Sequence, residues 1–182
     1  MDWLTAFDTL LSQSDIEADM RPPASLENIQ AFEAALAEQE RVKGFALPPS
    51  YRAFLLRYDG GSVDDSKSGS YPRFLSIGEY QKPWHSLMEY NAADSVLMDH
   101  EIETYYTFEP LVIIGTDEGS NFWALDPTQR RVDGEMPVRF CDHESGDIYA
   151  QAADFASFVL LIANRQLKYR GLENPVVEGP SW

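Results

Sequence analysis

The sequence contains very little cysteine and no long apolar run, and each lack excludes a class of protein. Cys141 is the single cysteine among 182 residues, so neither a disulfide framework nor a zinc site built on paired cysteines is available. Spanning a bilayer takes about 20 consecutive apolar residues, and no stretch of the chain approaches that length. Acidic residues also stand near the N-terminus, where a signal peptide carries positive charge. We therefore expect a cytoplasmic protein in which Cys141 is a buried, reduced thiol.

Basic residues are scarce as well. The chain has 14 lysines and arginines against 30 aspartates and glutamates, so its formal net charge is −16. Such a surface repels nucleic acid and anionic membranes, and it attracts cationic partners. We expect neither a nucleic-acid nor a membrane partner. The alternative that the acidity only keeps the protein soluble stays open.

The sequence motifs of nucleotide-binding and catalytic sites are missing. No glycine-rich phosphate-binding loop and no nucleophile elbow occurs. His100 begins a zinc-helix pattern, but Thr104 stands where the second histidine is required. Asp64 begins a calcium-loop pattern that ends at Leu75 instead of a bidentate glutamate. We predict no cofactor, no metal and no catalytic residue.

A polar cluster beside Cys141 leaves two interpretations open. It contains Asp142, His143, Glu144 and Asp147. Neighbours on an extended chain point to opposite faces, so without a sharp turn these side chains do not converge on one ion. We favour a solvated acidic loop over an enzyme site, and stoichiometric metal binding would distinguish the two.

Apolar residues at helical spacing predict helices near both termini and in the first third of the chain. The first helix covers residues 2–12, and the last begins after a capping Asp154. Between them, Ser25 offers a cap for a helix whose apolar stripe is Leu26, Ile29, Phe32, Ala35 and Leu36. We interpret residues 15–24 as a proline-broken connection and residues 84–106 as partly helical.

Short apolar runs in the middle of the chain predict strands. One extends from Phe74 to Ile77, and another from Leu111 to Ile114 begins a hairpin over residues 111–126. A further strand covers Val138 to Cys141. Helices first, strands in the middle and a helix last indicate an α+β fold, in which helices flank a central mixed or mainly antiparallel sheet.

One segment of the chain resembles the hallmark of the SUKH superfamily. It begins with Leu47-Pro48, continues through a helix that carries Tyr51, and ends at Gly60-Gly61 after Asp59, where the family usually has asparagine. The resemblance implies structural roles for these residues, at the start, core face and end of a helix. It extends roughly over residues 25–163 of a single domain that spans 1–182, with residues 79–109 poorly matched. The N-terminal helix, residues 1–14, and the tail, residues 171–182, are extensions.

The resemblance also implies a role. Bacterial members of the superfamily are commonly immunity proteins that bind and neutralise a cognate toxin, and eukaryotic relatives are regulatory binding proteins. We therefore expect a protein-binding immunity protein, monomeric when free, for a cationic toxin, with nucleases as one candidate class. The alternative is a regulatory or scaffold module. The candidate contact residues in the acidic loops are Asp64, Asp65, Asp117, Glu118, Asp142 and Glu144.

Overall fold

A computed structural model of the chain describes residues 2–39, 42–77, 97–98, 105–106, 110–117, 121–143 and 145–168. The helices in these ranges are α1 (Trp3–Leu11), α2 (Leu26–Ala37), α3 (Pro49–Leu55) and α4 (Phe155–Ala163). The strands are β1 (Ile16–Met20), β2 (Gly61–Asp65), β3 (Arg73–Phe74), β4 (Leu97–Met98), β5 (Tyr105–Tyr106), β6 (Val112–Thr116), β7 (Phe122–Leu125), β8 (Val138–Cys141) and β9 (Ile148–Ala152).

Seven of the strands form one sheet in the order β1-β2-β3-β6-β7-β8-β9. Every neighbouring pair in this sheet is antiparallel. Strands β4 and β5 pair separately. The predicted α+β fold with a mainly antiparallel sheet is therefore confirmed, as is the hairpin of β6 and β7.

The hydrophobic core lies between the sheet and the helices and is rich in aromatic rings. Phe54 of α3 is at its centre, with its ring centroid 4.7 Å from that of Phe74 and 5.2 Å from that of Phe155. Phe7 of α1 lies 6.0 Å from Phe54, and Trp123 of β7 lies 5.4 Å from Phe158 of α4. These contacts place α1, α3 and α4 on one face of the sheet.

Two helix starts follow directly from capping residues. The Ser25 hydroxyl accepts a hydrogen bond from the Asn28 N–H at 3.1 Å, and the Asp154 carboxylate accepts one from the Ser157 N–H at 2.8 Å. Each satisfies a backbone donor that the helix itself leaves unpaired. Both caps were predicted. The apolar stripe of α2 needs one correction, because Leu26 at its first position is 53 % exposed.

Helix α3 is held at its start by two glutamates from elsewhere in the chain. Glu135 accepts hydrogen bonds from the Ser50 N–H at 2.9 Å and from the Ser50 hydroxyl at 2.6 Å. Glu33 of α2 accepts a hydrogen bond from the Leu47 N–H at 2.8 Å and also pairs with Arg52. Because α3 lacks a side-chain cap of its own, Glu135 supplies an acceptor for its first turn, while Glu33 holds the residue that precedes the N-cap.

Three predictions about secondary structure were wrong. Residues 15–24 are not a plain connection, because residues 16–20 form β1 and pair with β2. At 97–98 and 105–106, where helix was expected, the chain forms the paired strands β4 and β5, and the remainder of 84–106 lies outside the described residues. The strand expected from Phe74 to Ile77 is instead Arg73–Phe74.

Candidate acidic interface

Four of the acidic residues singled out in the sequence, Asp64, Asp65, Asp117 and Asp142, lie in the described residues and gather at one end of the sheet. Strands β2, β6 and β8 run in the same direction because each is separated from the next by one antiparallel neighbour. Their C-terminal ends therefore lie at the same edge, which also receives the starts of β1, β7 and β9. We call this edge the acidic end, and its described acidic residues are Asp15, Asp64, Asp65, Asp117, Asp142 and Asp147.

The hairpin between β6 and β7 is closed by Asp117. Its carboxylate accepts hydrogen bonds at 2.8 Å from both the backbone N–H and the side-chain amide of Asn121. Its own N–H donates to the Asn121 carbonyl at 3.2 Å. Two acceptor contacts to one residue hold the carboxylate in a fixed direction, whereas an exposed aspartate on a loose loop has no such constraint.

Asn121 also joins this hairpin to the next one. Its side-chain oxygen accepts a hydrogen bond from the His143 N–H at 3.1 Å and lies 3.0 Å from His143 Nδ1. His143 follows Asp142 at the end of β8, so the two hairpins form one connected surface. Sequence reasoning treated His143 as part of a loop cluster and did not identify Asn121. An asparagine in a turn was the only local signal, since the partner comes from another hairpin.

The hairpin between β8 and β9 is closed by a similar set of local bonds. Asp142 donates its N–H to the Asp147 carbonyl at 3.0 Å, and Gly146 returns an N–H to the Asp142 carbonyl at 2.9 Å. The Asp147 carboxylate accepts a hydrogen bond from the Tyr149 hydroxyl at 3.0 Å. Burial and this bond raise the pKa of Tyr149. The sequence did not establish whether this segment makes a sharp turn. The structure contains one, with Gly146 at φ +71°.

Beside β1, the carboxylates of the acidic end form ion pairs with basic side chains of the same protein. Asp15 lies 2.7 Å from both Lys67 Nζ and Arg165 Nη2. Hydrogen bonds from Lys67 and then Arg165 lower the pKa of Asp15 to about 2. Arg165 also lies 3.3 Å from Asp65, which accepts a hydrogen bond from the Ser68 hydroxyl at 2.7 Å. These carboxylates connect β1 and β2 to the end of α4.

The adjacent residues Asp64 and Asp65 have different environments. They were expected together in an acidic loop, yet both lie in β2, and successive side chains of a strand point to opposite faces. Asp65 is only 3 % exposed and faces the helices, where it contacts Arg165. Asp64 faces the other side and lines a shallow cavity of about 340 Å³ with Glu17, Asp19 and Arg73. Of this pair, Asp64 is the accessible one.

Two features of the described residues concern metal binding and the reactivity of Cys141. No group of three or more histidine, cysteine, aspartate or glutamate side chains there is placed to hold a metal ion. Burial strongly raises the pKa of the Cys141 thiol, and a protonated thiol is a poor nucleophile. None of the described helices is long and apolar enough to cross a membrane. The two remaining predicted contact residues, Glu118 and Glu144, lie outside the described residues.

Comparison with known families identifies the fold. The family model described as "SMI1 / KNR4 family (SUKH-1)" matches residues 23–160. The chain belongs to the SMI1/KNR4 family. No curated protein matches it. The match extends from just before α2 into α4 and agrees within a few residues at each end with the resemblance read from the motifs.

The SMI1/KNR4 match includes the hallmark segment, whose residues lie in the core and not at the acidic end. Tyr51 is fully buried, with its ring centroid 4.7 Å from that of Phe155. Its hydroxyl has no hydrogen-bond partner among the described residues, and burial, with the nearby Asp59, raises the pKa of Tyr51 well above its usual value. Leu47 and Pro48 are buried at the start of α3.

The glycines that close this SMI1/KNR4 segment are required by the backbone. Gly60 and Gly61 have φ of +77° and +129° at the start of β2. A Cβ on Gly60 would lie 2.7 Å from the carbonyl oxygens of Phe74 and Leu75. The chain therefore turns from α3 into the sheet where a side chain has no space.

Proposed function

We propose that this protein is a non-enzymatic, cytoplasmic immunity protein that neutralises a cationic bacterial toxin by binding it at the acidic end. Members of the family are generally non-enzymatic binding modules. A net charge of −16 favours rapid association with a basic partner. Nucleases are one class of such toxins, because a cleft that binds phosphates also attracts carboxylates.

The observation that carries this proposal is the bond between the two hairpins. Asn121 joins Asp117 to the β8–β9 turn through His143. The carboxylates of Asp117 and Asp142 are therefore held at a fixed spacing. A preorganised surface loses less conformational entropy on binding than a mobile one. The proposed contact set is Asp64, Asp117, Glu118, Asp142 and Glu144. Asp65 does not belong to it because it is buried against Arg165.

The test begins with the partner. The tagged protein is purified from its native host at low and at high salt, and co-purifying proteins are identified by mass spectrometry. We expect one basic toxin domain, with less of it retained at high salt. Several unrelated partners would favour the alternative of a regulatory or scaffold module.

Charge reversal then locates the surface. In a double variant, Asp117→Lys with Asp142→Lys, we expect the association rate with the purified toxin to fall about tenfold or more and its salt dependence to decrease. The matched control, Glu27→Lys with Glu38→Lys, makes the same change in net charge on exposed positions of α2 and just after it. Equal effects of the two variants would show that net charge alone, and not the acidic end, attracts the toxin.

A further inference from the structure

Strand β1 has a free edge in the described sheet. It is the first strand in the order, so β2 is its single neighbour. The Arg21 N–H donates to the Gly60 carbonyl at 3.1 Å, and hydrogen-bonded positions alternate along an antiparallel pair. Glu17 and Asp19 therefore direct their backbone groups toward β2, while Ala18 and Met20 direct theirs outward. The N–H groups of Val63 and Asp65 agree with this register, because they donate away from β1, to Pro72 and Ser70.

Most of the charged side chains beside this edge are acidic. Glu17 pairs with Asp64 across β1 and β2, and Asp19 follows on the same face. These three carboxylates line the cavity of about 340 Å³, with Arg73 as the cation among its lining residues. Asp19 also lies 3.7 Å from Arg21, but its side chain remains 75 % exposed. A strand added beside β1 would have its own side chains on this face roughly 4.8 Å from those of β1.

We infer that β1 binds an extended segment of a partner protein by strand addition, and that this segment carries lysine or arginine at alternate positions. The outward N–H and C=O groups of Ala18 and Met20 supply main-chain hydrogen bonds, which give affinity in this mode of recognition. The carboxylates of Glu17, Asp19 and Asp64 select the charge of the alternate side chains. A second copy of this chain fits poorly, because two β1 strands would bring Glu17 and Asp19 of each copy together.

Apart from Asp64, which belongs to both, this edge is separate from the two hairpins that Asn121 joins. Strand β1 lies N-terminal to residues 23–160, which the family model matches. The inference rests on the proposed function only for the cationic character of the partner. It adds a second contact, made through the backbone, to the electrostatic contact at the acidic end.

The test uses a peptide of about six residues, a usual strand length, in which lysine alternates with valine. A peptide that alternates glutamate with valine is its charge control. Binding is measured by isothermal titration calorimetry, and hydrogen exchange of the backbone amides is followed by NMR. We expect the lysine peptide to bind and to slow exchange at Ala18 and Met20, while the glutamate peptide does neither.

Two proline variants separate strand addition from simple charge attraction. Ala18→Pro removes an outward N–H from β1, and an edge strand tolerates proline at such a position. Ala150→Pro is the matched control on the opposite edge strand, β9, where Ala150 is exposed and the same alternation from Asp142 directs its N–H outward. We expect Ala18→Pro to weaken binding of the lysine peptide about tenfold and Ala150→Pro to leave it unchanged, with both variants folded by circular dichroism.

Several results would overturn the inference. They are equal binding of the lysine peptide to both variants, equal binding of the two peptides, or no binding of the lysine peptide up to about 1 mM. A wild-type dimer that Ala18→Pro abolishes would assign the edge to a second copy instead. None of these results depends on finding a toxin. A peptide that binds at β1 while no cationic toxin co-purifies would uphold the edge and reject the proposed function.

Discussion

Arg139 and Asp126 form an ion pair inside the protein, with Arg139 Nη2 2.8 Å from Asp126 Oδ2 and side chains that are 7 % and 8 % exposed. Arg139 Nε donates to the same oxygen at 3.0 Å. The other carboxylate oxygen of Asp126 accepts hydrogen bonds from Thr128. Arg139 lies in β8, and Asp126 immediately follows its neighbour β7.

Removing the cation of this pair should destabilise the protein strongly. In Arg139→Met, Asp126 remains buried without its cation, and we expect the free energy of unfolding to fall by about 3–5 kcal/mol. Urea unfolding followed by tryptophan fluorescence measures it. Arg130→Met, at an exposed position, should change stability by less than about 0.5 kcal/mol. Equal losses in the two variants would mean that the buried pair contributes nothing specific.

Substitution of Asp65 should lower stability, whereas substitution of its neighbour Asp64 should weaken binding. Asp65→Ala removes the acceptor of Ser68 and an anion beside Arg165, so we expect it to lower the free energy of unfolding by about 1–3 kcal/mol. Asp64→Ala should change stability by less than about 0.5 kcal/mol and should weaken binding of the lysine peptide. Chemical unfolding and calorimetry measure the two effects. If Asp64→Ala were the more destabilising variant, the assigned faces of β2 would be wrong.

Asp15 should make stability depend on pH in the acid range. Lys67 and Arg165 hold the pKa of Asp15 near 2 in the folded protein, below its ordinary value of 3.8. The ionised form is therefore favoured by folding, and its contribution is fully present above pH 3.8 and is lost as the pH falls through about 2. The difference in unfolding free energy between the wild type and Asp15→Asn should be constant above that range and should shrink below it.

Thermal unfolding between about pH 2 and 6 measures this difference. Asp19→Asn is the control for removing one negative charge from the same region, because Asp19 is exposed. We expect its difference from the wild type to show a weaker change with pH. A parallel pH dependence in the two variants would indicate that overall charge, and not the contacts of Asp15, is responsible.

Two glycines with similar φ angles should respond differently to substitution by alanine. Gly44 and Gly60 have φ of +74° and +77°. A Cβ on Gly44 would meet no atom within 4 Å, whereas on Gly60 it would meet backbone oxygens at 2.7 Å. Gly44→Ala should cost about 1–2 kcal/mol for the left-handed conformation, and Gly60→Ala about 1–3 kcal/mol more for the overlap. Urea unfolding measures both, and similar losses would contradict the close approach at Gly60.

The helices could be predicted because their signals are local. The caps Ser25 and Asp154 act on residues of the same turn, and the buried face of α4 repeats at helical spacing. Strand β1 could not be recognised in the same way. Of its four residues after Ile16, three are exposed and two are acidic, and the strand is stabilised by pairing with β2, which is distant in sequence. Ile16, Ala18 and Met20 do alternate with Glu17 and Asp19, but this strand pattern lasts only five residues and is followed by two prolines, so it is a weak signal.

The sequence predicted which acidic residues to consider for the candidate site, but not which faces they occupy or which residues they contact. The sequence identified the acidic residues at the strand ends, and the direction of β2, β6 and β8 explains why they share one edge. It did not separate Asp64 from Asp65, because that distinction depends on which face of β2 meets Arg165. It also missed the contact between Asn121 and His143, which joins two hairpins.

The position of Asp117 and Asp142 at strand ends, outside the aromatic core, has a consequence for how binding specificity can change. Turns tolerate substitution and insertion better than the strands that they connect. Asp117 and Asp142 lie at the C-terminal ends of β6 and β8, whereas the rings around Phe54 belong to β3 and α4. Substitutions in the turns can therefore alter specificity while the packing of the aromatic core is unchanged. A protein with this architecture can therefore change the surface that it offers to a partner through substitutions in two short turns.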